Sequence, residues 1–241
     1  MIKKLTYLRL TQMSYLFILL AIIGCDSDGQ PQPPLTPSTP TLVLTDTQEY
    51  YLKISLGTEL TQNSSVVRKW GQDLKVYVVD TTFTELMKEL RQIVTEINDL
   101  STSVSLNLVS TRAESNFLIY FGDGQTYATN YEPAVASFVE SNWGLLWVYW
   151  NANQEIYRGS MYVDTERTES LDCQKHLLRE ELTQSLGLMQ DTNDFPASIF
   201  YQSWTCSPQY ADIDRKLIQW HLSSEIKAGM DRANIITLWQ P

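Results

Sequence analysis

The sequence predicts an α+β domain: a mixed sheet of about five strands with two main helices, followed by a small, mostly helical C-terminal part. Three observations predict it. Short β-branched and aromatic runs punctuated by turn residues lie between Leu74 and Val163, and two long stretches keep the helical period. A proline-dense segment separates all of this from an apolar N-terminus.

From the N-terminus, Lys3, Lys4 and Arg9 form a basic region, and Tyr15 to Ile23 is an apolar run too short to span a bilayer as a helix. The run ends at Ile22-Ile23-Gly24-Cys25, which resembles a bacterial lipobox. That resemblance implies cleavage before Cys25 and lipidation of its sulfur, making residues 1–24 a lipoprotein signal peptide; the alternative is an ordinary secretory signal. Residues 25–46 then read as a tether, because the prolines between Pro31 and Pro40 favour extended, solvated chain. The folded domain is expected over residues 47–241, a single-domain length. Multiple acyl chains would hold it on a membrane, at about 0.8 kcal/mol per buried methylene.

Charge narrows the partners. The net charge is −10, and the chain from Cys25 onward carries 15 basic against 28 acidic residues. Phosphate recognition needs clustered Lys and Arg, so nucleic acid is excluded as an expected partner. Of three cysteines, Cys25 is assigned to lipid. Cys173 and Cys206 are left, and in an oxidising compartment they are expected to form a disulfide, the alternative being two buried thiols.

The elements follow in order. Leu74 to Val79 alternates and is β-branched, so it reads as a strand. Thr81-Thr82 is expected to cap a helix whose apolar face is Leu86, Leu90, Ile93, Val94 and Ile97. Val104 to Leu108 and Phe117 to Phe121 are the next strands, the latter closed by Gly122-Asp123-Gly124. Leu145 to Trp150 and Ile156 to Val163 form a hairpin about Asn151 to Gln154. In its first strand, alternation puts Trp147 and Tyr149 on one face and Leu146, Val148 and Trp150 on the other. A long helix runs from about Leu171 to Leu188 and stops at Gly187, which tolerates a left-handed turn.

That helix carries Glu180-Glu181-Leu182-Thr183-Gln184-Ser185-Leu186-Gly187-Leu188-Met189-Gln190-Asp191. Its spacing resembles the metzincin metallopeptidase motif H-E-x-x-H-x-x-G-x-x-H-D with every histidine replaced. The resemblance puts Glu181 at the general-base position and Glu180, Gln184 and Gln190 at the three ligand positions. Downstream, Asp212 to Leu222 looks like a further metzincin helix, and Gly229-Met230 stands where those enzymes place their Met-turn. More closely, E-E-L-x-Q-x-L-G-L-x-x-D, Ser198-Ile199-Phe200 and Gly229-Met230 look like a bacterial lipoprotein family with no assigned function. The resemblance covers about Trp70 to Met230 and implies a metzincin-like fold.

Residues four apart share a helix face, so His176, Glu180 and Gln184 form a polar stripe with Glu181 beside it. Leu178, Leu182, Ser185, Leu186 and Met189 face the core. Catalytic zinc needs three good ligands, usually imidazoles. One carboxylate and two amides are a poor cage for zinc, calcium or magnesium alike. No metal and no cofactor are therefore expected. Gln184 and Gln190 are instead expected to hydrogen-bond the neighbouring carboxylates. Asp191 to Asp194 reads as a polar turn rather than a calcium loop, and His221 as a packing histidine.

The expected protein is a zinc-less metallopeptidase-like lipoprotein on the periplasmic or outer side of a bacterial envelope. Its expected partners are the membrane and a peptide or envelope protein, bound by strand addition to the aromatic strand. The alternative is a hydrolase (peptidase), with or without an unusual metal, in which Glu181 activates water beside a second carboxyl.

Overall fold

A computed structural model of the chain describes residues 43–58 and 65–240. Helix α1 (Asp46–Leu56) opens with a reciprocal cap: Thr45 Oγ1 accepts the Gln48 N–H at 3.3 Å, and Gln48 Oε1 accepts the Thr45 N–H at 2.9 Å. The sequence reading assigned no helix here, because Tyr50, Tyr51, Leu52 and Ile54 are all buried and show no one-sided apolar stripe.

The sheet holds β1 (Lys69–Trp70), β2 (Leu74–Val78), β3 (Leu106–Leu108), β4 (Phe117–Phe121), β5 (Gly144–Trp150) and β6 (Glu155–Val163). Its order is β1-β6-β4-β2-β3, all parallel, with β5 antiparallel on β6. The sixth strand beyond the five expected is the two-residue β1, too short to register as alternation. Central β4 is apolar at nearly every position, as a strand covered on both faces must be.

Helix α2 (Thr84–Leu100) follows β2, and α4 (Leu171–Gln184) follows β6; the two pack together, with α4 across β5 and β6. The cap expected at Thr81-Thr82 is not formed: Phe83 is the N-cap residue and makes no side-chain cap bond. The opposite face is covered by α3 (Gly124–Asn130) and the turn at Pro133–Val135, which enclose Leu118, Tyr127, Leu145 and Tyr162. Asp123 starts α3 by accepting the Thr126 N–H at 2.8 Å, so the expected Gly122–Gly124 turn is also a helix start.

After α4 come only α5 (Asp212–His221) and α6 (Arg232–Leu238) as helices among the described residues. Asp214 ties this part down: it accepts from Ser198 Oγ at 2.5 Å, Ile199 N at 3.1 Å and Ala211 N at 2.8 Å. Burial raises its pKa against those hydrogen bonds. No helix among the described residues is long and apolar enough to cross a membrane.

Candidate functional site

Helix α4 is not one-sided. Besides Leu178 and Leu182, the side chains of His176, Arg179, Glu181, Thr183 and Gln184 are all buried. The polar stripe is therefore interior except at half-buried Glu180, and each buried member needs a partner.

His176 Nδ1 lies 2.8 Å from the Ser207 carbonyl and Nε2 lies 3.4 Å from Glu180 Oε2 and 3.3 Å from Thr205 Oγ1. Burial opposes its protonation, but the Glu180 carboxylate and the Ser207 carbonyl outweigh burial and raise its pKa. Cys173 and Cys206 are joined by a disulfide, Cα atoms 4.3 Å apart, which staples the Thr205–Ser207 segment along this face of α4.

Glu181 turns toward the sheet. A Cβ on Gly144 would lie 2.8 Å from its Oε1, so the absence of a side chain there is what lets the carboxylate reach the start of β5. Its charge helps raise the pKa of Tyr127 and Tyr162, mainly an effect of their burial. Just before β5, Arg167 holds the chain in place: it bonds Asp164 at 2.6 Å and the carbonyls of Val139, Glu140 and Asn142 at 2.8 Å each.

The glutamines are placed differently from the expectation. Gln184 Nε2 donates to Asp191 Oδ1 at 2.7 Å, and Gln190 Nε2 donates to the Asp191 main-chain oxygen at 3.1 Å. Both amides thus meet at Asp191, not at Glu180 or Glu181. Gln190 also packs on the end of α1, where a Cβ on Gly57 would lie 2.7 Å from its Cβ. The contact pairs residues far apart in sequence, which helical spacing alone does not reveal. Met230 accepts the Val67 N–H at its carbonyl, 2.8 Å, and the Lys227 N–H at its sulfur, 3.3 Å.

The motif resemblance of the sequence implies zinc, and these donors do not fit it. Glu180 faces His176, the two amides are turned to Asp191, and among the described residues no three of His, Cys, Asp and Glu are arranged to hold a metal. His221 is fully buried, its Nε2 3.1 Å from the Leu186 carbonyl and its Nδ1 3.2 Å from Tyr51 Oη. Burial and Lys69 lower its pKa to about 3, so it is a neutral packing group donating from Nε2. Cys25 lies outside the described residues.

The sequence reading passed over Arg179, Glu89 and Glu132. Glu132 is buried beneath β5 and β6, accepting from Tyr149 Oη at 2.6 Å and Ser160 Oγ at 3.2 Å. Its only advance signal is a charge inside an otherwise apolar and small-residue segment.

The chain belongs to the DUF2927 family, proteins of unknown function, which matches residues 45–240. No curated protein matches it. Two solved structures of myroilysin are similar. One has a TM-score of 0.43 at 10% identity and covers 71% of this chain and 92% of that one. The other has a TM-score of 0.40 at 11% identity and covers 62% and 93%.

Proposed function

We propose that this DUF2927 domain binds an extended peptide segment of a partner protein along β5, on a frame that resembles a metallopeptidase without its zinc ligands. The observation that supports it most is that β5 is an edge strand, its outer side unpaired by any other described strand. Gly159 donates its N–H to Asn116 beside β4, so Arg158, Ser160 and Tyr162 turn their main chain to β5. By antiparallel alternation the outer edge then belongs to Gly144, Leu146 and Val148. Among the described residues β5 pairs only with β6. Such an edge is a template for a further strand. Its main chain is braced by Val148 and Leu146 against the α4 side and by Leu145 and Trp147 against the other.

The test is titration with extended peptides, followed by amide shifts of Gly144, Leu146 and Val148. Binding should weaken at least about tenfold when alternate peptide nitrogens are methylated, because the edge bonds are then lost. Binding indifferent to methylation would refute strand addition. Cleavage of the peptide, stopped by Glu181→Gln, would replace binding by hydrolysis.

The same proposal places the domain at a membrane of the bacterial envelope through a lipid on Cys25. It is supported by the apolar run ending at Ile22-Ile23-Gly24-Cys25 and the proline-dense stretch after it. Cys25→Ser should yield unlipidated protein that fractionates away from membranes. Fatty-acid labelling that persists in the variant would rule the anchor out.

A further inference from the structure

Trp143, immediately before β5, meets Trp204 edge-to-face, with ring centroids 5.4 Å apart and planes at 79°. Trp204 is 46% exposed, while Trp143 is half-buried and packs on the core beneath it. The contact makes an aromatic corner in which Trp204 presents its indole to solvent beside the half-buried Trp143.

Two carboxylates of α4 connect to the corner through neighbouring residues. Trp204 precedes Thr205, whose hydroxyl contacts the same His176 nitrogen that Glu180 approaches at 3.4 Å. Trp143 precedes Gly144, against which Glu181 Oε1 is packed. The Cys173–Cys206 disulfide fixes the Trp204 segment to α4. The surroundings are acidic as well: Glu140, Glu166, Glu169 and Asp172 are exposed on the segments leading into β5 and α4. Arg167, beside Glu166 and Glu169 in sequence, has its guanidinium engaged by Asp164 and three carbonyls, and Lys175, near Asp172, pairs with Glu85 at 3.9 Å.

We infer that this corner receives a basic side chain, lysine or arginine, from the peptide lying on β5. Indole faces attract cations, and the attraction strengthens where water is partly excluded. The acidic approach adds long-range steering toward a positively charged partner. The inference rests on strand addition at β5 and assigns the residue seated opposite Gly144 at the start of the strand. An anionic or purely apolar peptide would lack this contact and meet the acidic surroundings unfavourably.

The experiment uses the full chain and three probes: an extended peptide with one lysine among alternating valine and threonine, the same peptide with norleucine for lysine, and Nα-acetyl-lysine methylamide. Binding is followed by tryptophan fluorescence at low and moderate salt. The lysine peptide should bind about tenfold tighter than the norleucine peptide, an advantage that shrinks with salt and is lost in Trp204→Ala and in Glu180→Gln. Trp204 is exposed, and unchanged thermal unfolding of that variant would confirm that its fold is intact. Equal binding of the two peptides overturns the basic-residue site and leaves strand addition standing. Fluorescence change with the lysine methylamide but with neither peptide supports the site and overturns strand addition. No response to any probe overturns both.

Discussion

Gly187→Ala is expected to destabilise the domain by roughly 3–5 kcal/mol, from about 1–3 kcal/mol of backbone strain and an overpacking cost of about 2 kcal/mol. Gly187 has φ +119°, a conformation that a side chain disfavours. It also lies where the chain leaving α4 crosses the segment entering β1. An added Cβ would sit 1.9 Å from the Arg68 carbonyl oxygen and 2.7 Å from His221 Nε2, so backbone and a fully buried ring would both have to move. Gly229→Ala is the control. Gly229 also has positive φ, +82°, but the nearest atom to its Cβ would be 3.6 Å away, so only the conformational cost applies. In a domain this size 1 kcal/mol corresponds to about 2–4 °C, so the Gly187 variant should melt roughly 6–20 °C lower and well below the Gly229 variant. Equal losses in the two variants would mean that the Arg68 strand yields freely.

That glycine was legible in the sequence as the stop of a helical stretch, although α4 itself ends at Gln184 instead of running to Leu188, and the same kind of periodic signal exposed most of the frame. Alternation located β2 and β3, short β-branched and aromatic runs bounded by turns located β4, β5 and β6, and the 3.6-residue period located α2 and α4. Elements without a one-sided pattern were not legible. α1 is buried across several faces, α3 reads as a polar turn in Gly124–Asn130, and β1 is two residues long. The candidate site divides the same way. His176 and Glu180 are four residues apart on one helix, so their proximity follows from spacing. The turn of Gln184 and Gln190 toward Asp191 depends on how the chain leaves α4 and on the packing of Gln190 against Gly57.

Arg179 was the least legible of all, since a lone arginine in a helix ordinarily marks a solvated face. Its side chain is 0% exposed. It bonds Glu89 at 2.5 Å and Glu96 at 2.6 Å on α2, and its guanidinium carbon lies 4.4 Å from the centroid of the Tyr210 ring. Burial works against its charge, and Tyr210 with the two carboxylates more than restores it. The pairing is what permits α4 to be buried on this face and fixes its register on α2.

Arg179→Met should cost about 3–5 kcal/mol, because it leaves a buried carboxylate without its counter-charge. Glu89 is the member stranded: its side chain is 9% exposed, whereas Glu96 is 18% exposed and keeps Gln92 at 2.8 Å and Arg215 at 3.6 Å. Arg179→Lys should fall between wild type and Arg179→Met, since one ammonium lacks the fork that reaches both carboxylates. The double variant Glu89→Met/Arg179→Met removes both charges and fills their volume with apolar atoms. It should therefore be more stable than Arg179→Met alone, because the desolvation cost disappears with the second charge. The guanidinium Nε–H has no acceptor among the described residues, a further cost that the double variant also removes. Urea unfolding of the wild type, Arg179→Met, Glu89→Met and the double variant provides the cycle. A double variant as unstable as the sum of its singles would show that the ion pair acts as two independent packing contacts, and an Arg179→Met loss below about 1 kcal/mol would show that water reaches Glu89.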